Sequence, residues 1–190
     1  MGLELIVAVA IGLVLIGIAI VIYIIIIYNG LVSLRNDIDK AWANIDVLLK
    51  QRAEELPKLI DTVKGYMKYE KEVLTEVTRA RTAFLDAKTI QEKADANNML
   101  TGALKSLFAV AENYPQLKAN ENFVHLQTRV SGLENEIADR REFYNDSVNV
   151  YNIRIQQVPS NIVAGLLNYK RKDLFQATEQ EKKDVKISFQ

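Results

Sequence analysis

The chain has 190 residues with 24 basic and 24 acidic side chains, so its net charge gives no electrostatic reason to expect nucleic-acid binding. It has no cysteine, which excludes disulfides, thiol nucleophiles and cysteine metal sites, and its single histidine, His125, excludes a histidine-rich metal site within one protomer. Proline (3) and glycine (8) are scarce, which favours long uninterrupted helices over an all-β fold.

An uncharged apolar run, mostly Ile, Val, Leu and Ala, covers residues 5–27. As a helix rising 1.5 Å per residue it would span about 35 Å, slightly more than the roughly 30 Å hydrocarbon core of a bilayer. Two tyrosines stand near its end, where aromatic rings favour the headgroup region. We therefore predict a transmembrane anchor over residues 1–28. Its marker residues are Leu5, Ile16, Tyr23, Ile27 and Tyr28.

The residues that flank this run predict its orientation. Residues 1–4 contain no Lys or Arg, whereas Arg35 and Lys40 follow the run closely. The positive-inside rule then places a very short N-terminus outside the cell membrane and the following domain in the cytoplasm. A cleaved signal peptide is disfavoured, because the run exceeds the usual apolar region of about 7–15 residues and no basic segment precedes it.

Helical periodicity begins directly after the anchor. Residues recur at alternating steps of four and three, which places them on one stripe of a helix that packs at a shallow angle. The stripe consists of Ile38, Trp42, Ile45, Leu49, Arg52, Leu56, Leu59, Val63 and Tyr66. Pro57 should kink this helix without changing its phase. Because no gap precedes the stripe, we predict that the transmembrane helix continues into the domain.

Three further helical segments follow. The chain turns or bends near residues 65–70, and Val73, Val77, Ala80 and Phe84 continue the pattern. Thr89 and Glu92 have the spacing of a capping box at a new helix start, and that helix should end near Tyr114 and Pro115. Asn120 is a suitable N-cap for the last long helix. Its stripe is Phe123, Leu126, Val130, Leu133, Ile137, Arg140, Tyr144, Ser147, Tyr151, Ile155 and Val158.

These patterns predict an all-α fold, in which the transmembrane helix is continuous with an antiparallel up-and-down bundle of four long helices. The count falls to three if residues 86–89 form a bend. The predicted domains are the anchor (1–28), a cytoplasmic bundle (29–158), and a C-terminal apolar and basic segment with a polar tail (159–190).

Several polar and aromatic residues on the stripes are candidates for structural or interaction roles. Arg52 and Arg140 need partners if they face inward, and antiparallel helices would bring Arg52 near Glu134 and Glu136. A register-fixing ion pair is the first interpretation, and a ligand-binding arginine is the alternative. Trp42, Tyr144 and Tyr151 are interpreted as packed aromatics, with a recognition surface as the alternative.

The C-terminal segment is the most suggestive candidate for an interaction. Its apolar residues include Ile162, Leu166 and Leu167, and its basic residues are Lys170, Arg171 and Lys172. The apolar group could cap the open end of the bundle, contact another protomer, or lie on an anionic membrane surface.

Residues that would carry catalysis are missing. His125 lies off the apolar stripe and is interpreted as a solvated side chain. The sequence has no glycine-rich phosphate loop, no His-Glu-x-x-His motif and no Gly-x-Ser-x-Gly motif. No glutamate is followed by a histidine at the spacing of a carboxylate-bridged di-metal site. We therefore expect no enzyme, no cofactor and no bound metal.

Several sequence blocks resemble the LemA family. They are Tyr28-Asn29-Gly30-Leu31-Val32 with Arg35-Asn36, residues 41–52, Asn113-Tyr114-Pro115 with residues 117–123, Arg140-Arg141 with Tyr144-Asn145-Asp146, and Pro159-Ser160-Asn161. The blocks occur in the family's order and cover the chain from the anchor to about Phe175. The resemblance implies one N-terminal transmembrane helix, a cytoplasmic helical bundle and a bacterial or archaeal source.

The resemblance implies no reaction. One branch of the family is linked to magnetosome membrane organisation, which favours scaffolding over catalysis. Many members have a His-Glu pair after a Gly-Tyr segment, whereas this chain has Tyr69 and Glu70 there. A titrating or metal-binding role of that histidine is therefore not carried over.

The leading functional hypothesis is a non-enzymatic, membrane-anchored scaffold that self-associates through its helical domain and membrane helix. Ala8 and Gly12 have a small-xxx-small spacing that is compatible with helix association. The alternative is a monomeric adaptor or regulator of one membrane protein, such as a protease or signalling receptor. The expected partners are the lipid bilayer, further copies of the chain or a membrane protein, and no nucleic acid.

Overall fold

The structure is a computed structural model that describes residues 2–175, except for the side chain of Glu4. Met1 and the predicted polar tail from residue 176 onward lie outside the described residues. Within them the chain forms six helices and no strand. The helices are α1 (Gly2–Lys64), α2 (Lys71–Asp86), α3 (Ile90–Ala111), α4 (Pro115–Lys118), α5 (Glu121–Arg154) and α6 (Ser160–Leu166). The predicted all-α fold is confirmed.

Helix α1 confirms that the apolar segment and the first stripe share one helix. It runs from Gly2 to Lys64, and Pro57 lies within it. The described residues divide into two compact units, and the long helices α1 and α5 contribute to both. The first unit contains residues 2–41 and 145–174, and the second contains residues 42–144 and Phe175.

The second unit contains the four-helix bundle, and polar contacts fix its register. Asp46 on α1 pairs with Lys93 near the start of α3, and Arg52 contacts Thr101 further along α3. These two helices therefore run parallel. Arg52 also contacts Glu134 on α5, whereas residues just after α1 contact the start of α5, so α1 and α5 run antiparallel.

Short connections complete the predicted up-and-down order of the bundle. Between α2 and α3 only residues 87–89 are non-helical, and these helices pack against each other. Thr89 Oγ1 accepts a hydrogen bond from Glu92 N at 3.1 Å, and Glu92 Oε2 accepts one from Thr89 N at 2.9 Å. The predicted capping box is thus confirmed. The chain turns rather than bends after α1, because α1 ends at Lys64 and α2 begins at Lys71.

The cap at the start of α5 is also confirmed, because Asn120 Oδ1 accepts a hydrogen bond from Phe123 N at 3.0 Å. Helix α3 ends at Ala111, and the short helix α4 begins at Pro115. Apolar side chains from all these helices form the core of the second unit. It includes Leu56, Leu59, Val63, Val77, Leu104, Leu107, Leu117, Phe123 and Val130. Burial of each large side chain contributes about 1.5–3 kcal/mol.

The first unit combines parts of α1 and α5 with α6. Each of the two long helices buries one face here, marked by Leu31 and Ile38 on α1 and by Val148 and Tyr151 on α5. Val158 was predicted to extend the α5 stripe, but it is exposed, because α5 ends at Arg154.

Candidate functional site

The apolar part of α1 is long and apolar enough to cross a membrane. Its marker residues Leu5, Ile16, Tyr23 and Tyr28 are exposed, so the described chain itself does not cover them. Ile27 is the exception and is buried. An exposed apolar surface of this length has a bilayer as its natural solvent. The structure thus describes a membrane-associated protein.

Helix α6 lies against the end of this apolar segment, within the first unit. Ile162, Leu166 and Leu167 are exposed, whereas Val163 is buried. The idea that this group caps the bundle is therefore wrong for the three exposed residues. A groove of about 540 Å³ separates α6 from residues 20–28 of α1, and its lining is aliphatic except for two tyrosines and a proline.

The basic segment that follows α6 is held to the end of α5 by its backbone. Tyr151 Oη donates a hydrogen bond to Lys170 O at 3.1 Å. Asn152 Nδ2 donates to Lys172 O, and Asn152 Oδ1 accepts from Lys172 N, both at 2.9 Å. Backbone attachment leaves the side chains of Lys170 and Arg171 exposed. Asn152, which was not predicted as a site residue from the sequence, fixes this segment through its two hydrogen bonds to the Lys172 backbone.

Tyr151 is buried, as its stripe position predicted. Burial raises the pKa of its hydroxyl, Tyr169 raises it further, and Arg35 opposes the shift. The hydroxyl therefore remains a neutral donor at physiological pH, which suits its bond to a carbonyl oxygen.

Arg52 is the centre of a buried polar network in the second unit, with only 2% of its surface exposed. Its Nη1 donates to Asn97 Oδ1 at 2.8 Å and to Thr101 Oγ1 at 3.2 Å. The same nitrogen forms an ion pair with Glu134, and Thr101 Oγ1 donates to Glu134 Oε1 at 2.9 Å. The expected pairing of Arg52 with Glu134 is thus observed, and the network joins α1, α3 and α5.

This network is suited to holding helices together rather than to proton transfer. Burial lowers the pKa of Arg52, and the Glu134 carboxylate opposes that shift. A guanidinium does not release its proton in proteins, so the group acts as a fixed charge. Arg52 Nε and Asn97 Nδ2 have no hydrogen-bond partner among the described residues, and Arg52 lines a cavity of about 240 Å³ together with Thr101 and Glu134. A buried donor that has no protein partner and lies beside other polar side chains is a typical binding position for an ordered water molecule.

Trp42 belongs to an aromatic cluster in the same unit. Its ring centroid lies 6.0 Å from that of Tyr144 and 5.9 Å from that of Phe175. Lys93 Nζ lies 5.7 Å from the Trp42 ring. The packed-aromatic interpretation of Trp42 and Tyr144 agrees with these contacts. Phe175 was not identified from the sequence, because its partners are distant in the chain.

Arg140 is not on the buried stripe of α5, and its predicted inward position is wrong. Arg140 is exposed, whereas the neighbouring Arg141 is half-buried; likewise Val148 is buried in place of Ser147. The prediction continued a 3.5-residue repeat, but a straight α-helix has 3.6 residues per turn. Tyr144 and Tyr151 are buried at their predicted positions, and only the positions between them and Ile137 shift by one residue, from 140 to 141 and from 147 to 148.

The residues that bear on catalysis are dispersed. His125 is exposed, as predicted. Among residues 2–175, no three His, Cys, Asp or Glu side chains are close enough to hold a metal ion. Tyr69 is exposed, and Glu70 beside it accepts a hydrogen bond from Tyr114 Oη at 3.2 Å.

Comparison with known proteins identifies relatives along most of the chain. The sequence profile of the LemA family matches residues 41–189. The chain is 31% identical over 164 residues to Protein LemA of Metamycoplasma hominis, an alignment that covers 84% of this chain and 74% of that protein.

Two further relatives are Magnetosome protein MamQ 2 of Paramagnetospirillum magneticum, 24% identical over 175 residues, and Magnetosome protein MamQ of Magnetospirillum gryphiswaldense, 22% identical over 174 residues. Each alignment covers 78% of this chain and 64% of the relative, so the chain spans just under two thirds of these proteins. The family profile covers most of the sequence, and the helical bundle and apolar helix are those that the resemblance implies. The chain belongs to the LemA family.

Proposed function

We propose that this protein is a non-enzymatic, membrane-anchored scaffold that self-associates through its membrane helix and its helical domain. The observation that carries this proposal is the apolar part of α1, an uncharged run of residues 5–27 whose side chains are nearly all exposed. A second helix of the same kind is a suitable partner for such a surface inside a bilayer.

The small residues of α1 support association between copies. Ala8 and Gly12 lie on one face of the helix, and a Cβ atom built at Gly12 would meet nothing within 4 Å. A second helix can therefore approach this face closely. Confinement to a membrane also raises the effective concentration of the protomers.

The surface of α5 offers a second contact within the first unit. Val150 and Ile153 are exposed and three residues apart, so both lie on one face of the helix. An exposed apolar pair on one face of a helix is suited to association between copies. The inward polar groups of the bundle are engaged in helix-to-helix contacts, which favours a structural role. Similarity to proteins named for magnetosomes also supports this proposal.

Self-association can be tested by disulfide formation in intact membranes, because the natural chain contains no cysteine. We expect Val150→Cys to give a disulfide-linked dimer on mild oxidation. Adding Gly12→Leu should reduce the dimer yield, whereas adding Gly17→Leu should not, since Gly17 faces a different side of the helix. Monomer in every variant, together with a monomer in mild detergent at all concentrations, would exclude the scaffold proposal.

The proposed orientation places the bundle in the cytoplasm. A single cysteine at Leu85, which is exposed on α2, reports this directly. A membrane-impermeant maleimide should label Leu85→Cys only after the cells are opened. Labelling in intact cells would show the opposite orientation.

A basic groove in the second unit favours the adaptor as a second candidate function. The groove measures about 630 Å³ and lies beside the end of α1 and the start of α2. Ile60 and Leu74 line it together with Lys68, Lys71 and Arg79, and these three cations have no acidic partner among residues 2–175. This chemistry suits an acidic segment with apolar side chains.

The adaptor predicts a stoichiometric partner other than the chain itself in pull-downs from native membranes. Lys68→Gln with Lys71→Gln should abolish its capture. Lys105→Gln with Arg129→Gln removes the same charge elsewhere on the bundle and should leave capture unchanged. Equal capture by both double variants would exclude the groove as the docking site.

A further inference from the structure

The groove between α6 and α1 has a composition that suits a hydrocarbon chain. Ile20, Ile24 and Tyr28 line it from α1, and Ile162 and Leu166 line it from α6. Its volume of about 540 Å³ lies within the range of roughly 300–1,000 Å³ that is usual for ligand sites. Water gains few hydrogen bonds in such a groove, so an apolar occupant is favoured.

The position of the groove along α1 places it at a membrane boundary. The lining part of α1, residues 20–28, is about 12 Å long and forms the end of the apolar run. If that run spans the bilayer, this stretch extends from the hydrocarbon edge to the headgroups. Helix α6 would then lie at the same depth, where lipid rather than water surrounds the exposed side chains of Ile162 and Leu166.

Basic side chains follow α6 directly. Residues 150–174 contain four basic side chains and one acidic side chain, which gives a net charge of +3 (4 − 1). Lys170 and Arg171 are exposed and have no acidic partner among the described residues. Tyr151 and Asn152 hold the backbone at Lys170 and at Lys172, on either side of Arg171, so the two charges are positioned rather than carried on a free tail.

We propose that the groove binds one acyl chain of an anionic phospholipid, and that Lys170 and Arg171 contact its headgroup phosphate. The occupant is a lipid rather than a second copy of the chain, because the apolar groove and the adjoining cations match the two halves of an anionic phospholipid. The site gives the protein a second membrane contact, distinct from the transmembrane span. It does not depend on self-association, so each idea can fail without the other.

The depth of α6 can be measured with an environment-sensitive fluorophore. Leu166→Cys is introduced into the cysteine-free chain, labelled, and reconstituted in vesicles whose lipids carry bromine on the acyl chains. We expect strong quenching at residue 166 and none at a label on Leu85→Cys, which is also exposed but lies on α2. Equal quenching at the two positions overturns the proposal. An intermolecular disulfide in the unlabelled Leu166→Cys variant, together with no quenching in the labelled one, also overturns it, because a second copy would then fill the groove.

Lipid selectivity tests the headgroup contact. The full chain is reconstituted with mixed phosphatidylcholine and phosphatidylglycerol, and native mass spectrometry measures which lipid it retains. Each basic residue near a membrane surface contributes about fivefold, so Lys170→Gln with Arg171→Gln should reduce the preference for phosphatidylglycerol about 30-fold. The charge-matched control, Lys105→Gln with Arg129→Gln, should keep it. An unchanged preference in the first variant overturns the headgroup assignment.

Discussion

Arg52 and Glu134 form an ion pair that joins α1 to α5 inside the helical bundle. The two groups are unequal in environment, since the arginine side chain is 2% exposed and the glutamate side chain 30% exposed. The carboxylate can thus keep part of its hydration while it neutralises the buried guanidinium. Asn97 and Thr101 provide the remaining acceptors from α3, so one side chain sets the register of three helices.

We predict that Arg52→Met lowers the stability of the bundle by about 2 kcal/mol. Removing one partner of a fully buried pair costs about 3–5 kcal/mol, and the partial exposure of Glu134 reduces this penalty. Thermal unfolding of the full chain in mild detergent, followed by circular dichroism, should show a decrease in Tm of roughly 4–8 °C.

A double variant separates the structural role of Arg52 from ligand binding. Arg52→Met with Glu134→Met replaces the pair by apolar side chains and should recover much of the lost stability. If Arg52→Met has the same Tm as the natural chain but abolishes function in cells, the arginine is retained for a ligand and not for helix register.

Asp46 should make the bundle sensitive to acid. Its carboxylate lies 2.6 Å from Lys50 Nζ and also pairs with Lys93 of α3. Burial raises the pKa of Asp46, but the hydrogen bonds from Lys50 and Lys93 outweigh burial, and the net pKa lies below its ordinary value of 3.8. A folded-state pKa below the unfolded value stabilises the protein above about pH 4, and this contribution is lost as the pH falls through the folded-state pKa.

The matching experiment compares the natural chain with Asp46→Asn. Near pH 7 the variant should be less stable by about 1 kcal/mol, and the difference should vanish as the pH falls below about 4. Asp86→Asn, at the exposed end of α2, is the control and should leave the stability near pH 7 unchanged. A stability difference that persists at low pH would show that Asp46 acts through packing rather than charge.

The capping box of α3 should also contribute measurably. Thr89→Ala removes the acceptor for the Glu92 amide and should cost about 1 kcal/mol, while Thr89→Ser keeps the hydroxyl and should cost only a few tenths. Urea unfolding of the two variants in detergent would measure both values. Equal losses for alanine and serine would indicate that the methyl group of Thr89 matters more than its hydroxyl.

Local sequence patterns predicted most of the fold, because helix boundaries and helix caps depend on residues that are close together in the sequence. The continuity of α1, the capping box at Thr89 and the cap at Asn120 each follow from residues within one or two helical turns. The partner of Arg52 was also predictable, since antiparallel helices with matched ends leave few acidic residues within reach. The fold class therefore required no long-range information.

Features that depend on distant contacts could not be predicted in this way. The clamp between Asn152 and Lys172 uses backbone groups, which leave no mark on the sequence. The groove beside α6 requires the end of α5 to lie near the membrane segment of α1, which periodicity alone does not specify. The error at Arg140 has a different origin. The prediction applied a strict 3.5-residue repeat along α5, which assigned the buried position to residue 140 instead of residue 141.

That error leads to a direct prediction about two neighbouring arginines. Arg141 Cζ lies 4.8 Å from the centre of the Phe175 ring, whereas Arg140 is exposed. We expect Arg141→Ala to cost about 1 kcal/mol, from the lost cation–π contact and lost packing, and Arg140→Ala to change stability by less than about 0.5 kcal/mol. Thermal unfolding of the two variants in the same detergent gives the comparison. Phe175→Leu should reduce the effect of Arg141→Ala, because the contact is already lost. A larger cost at Arg140 than at Arg141 would show that Arg140, rather than Arg141, lies on the buried face of α5.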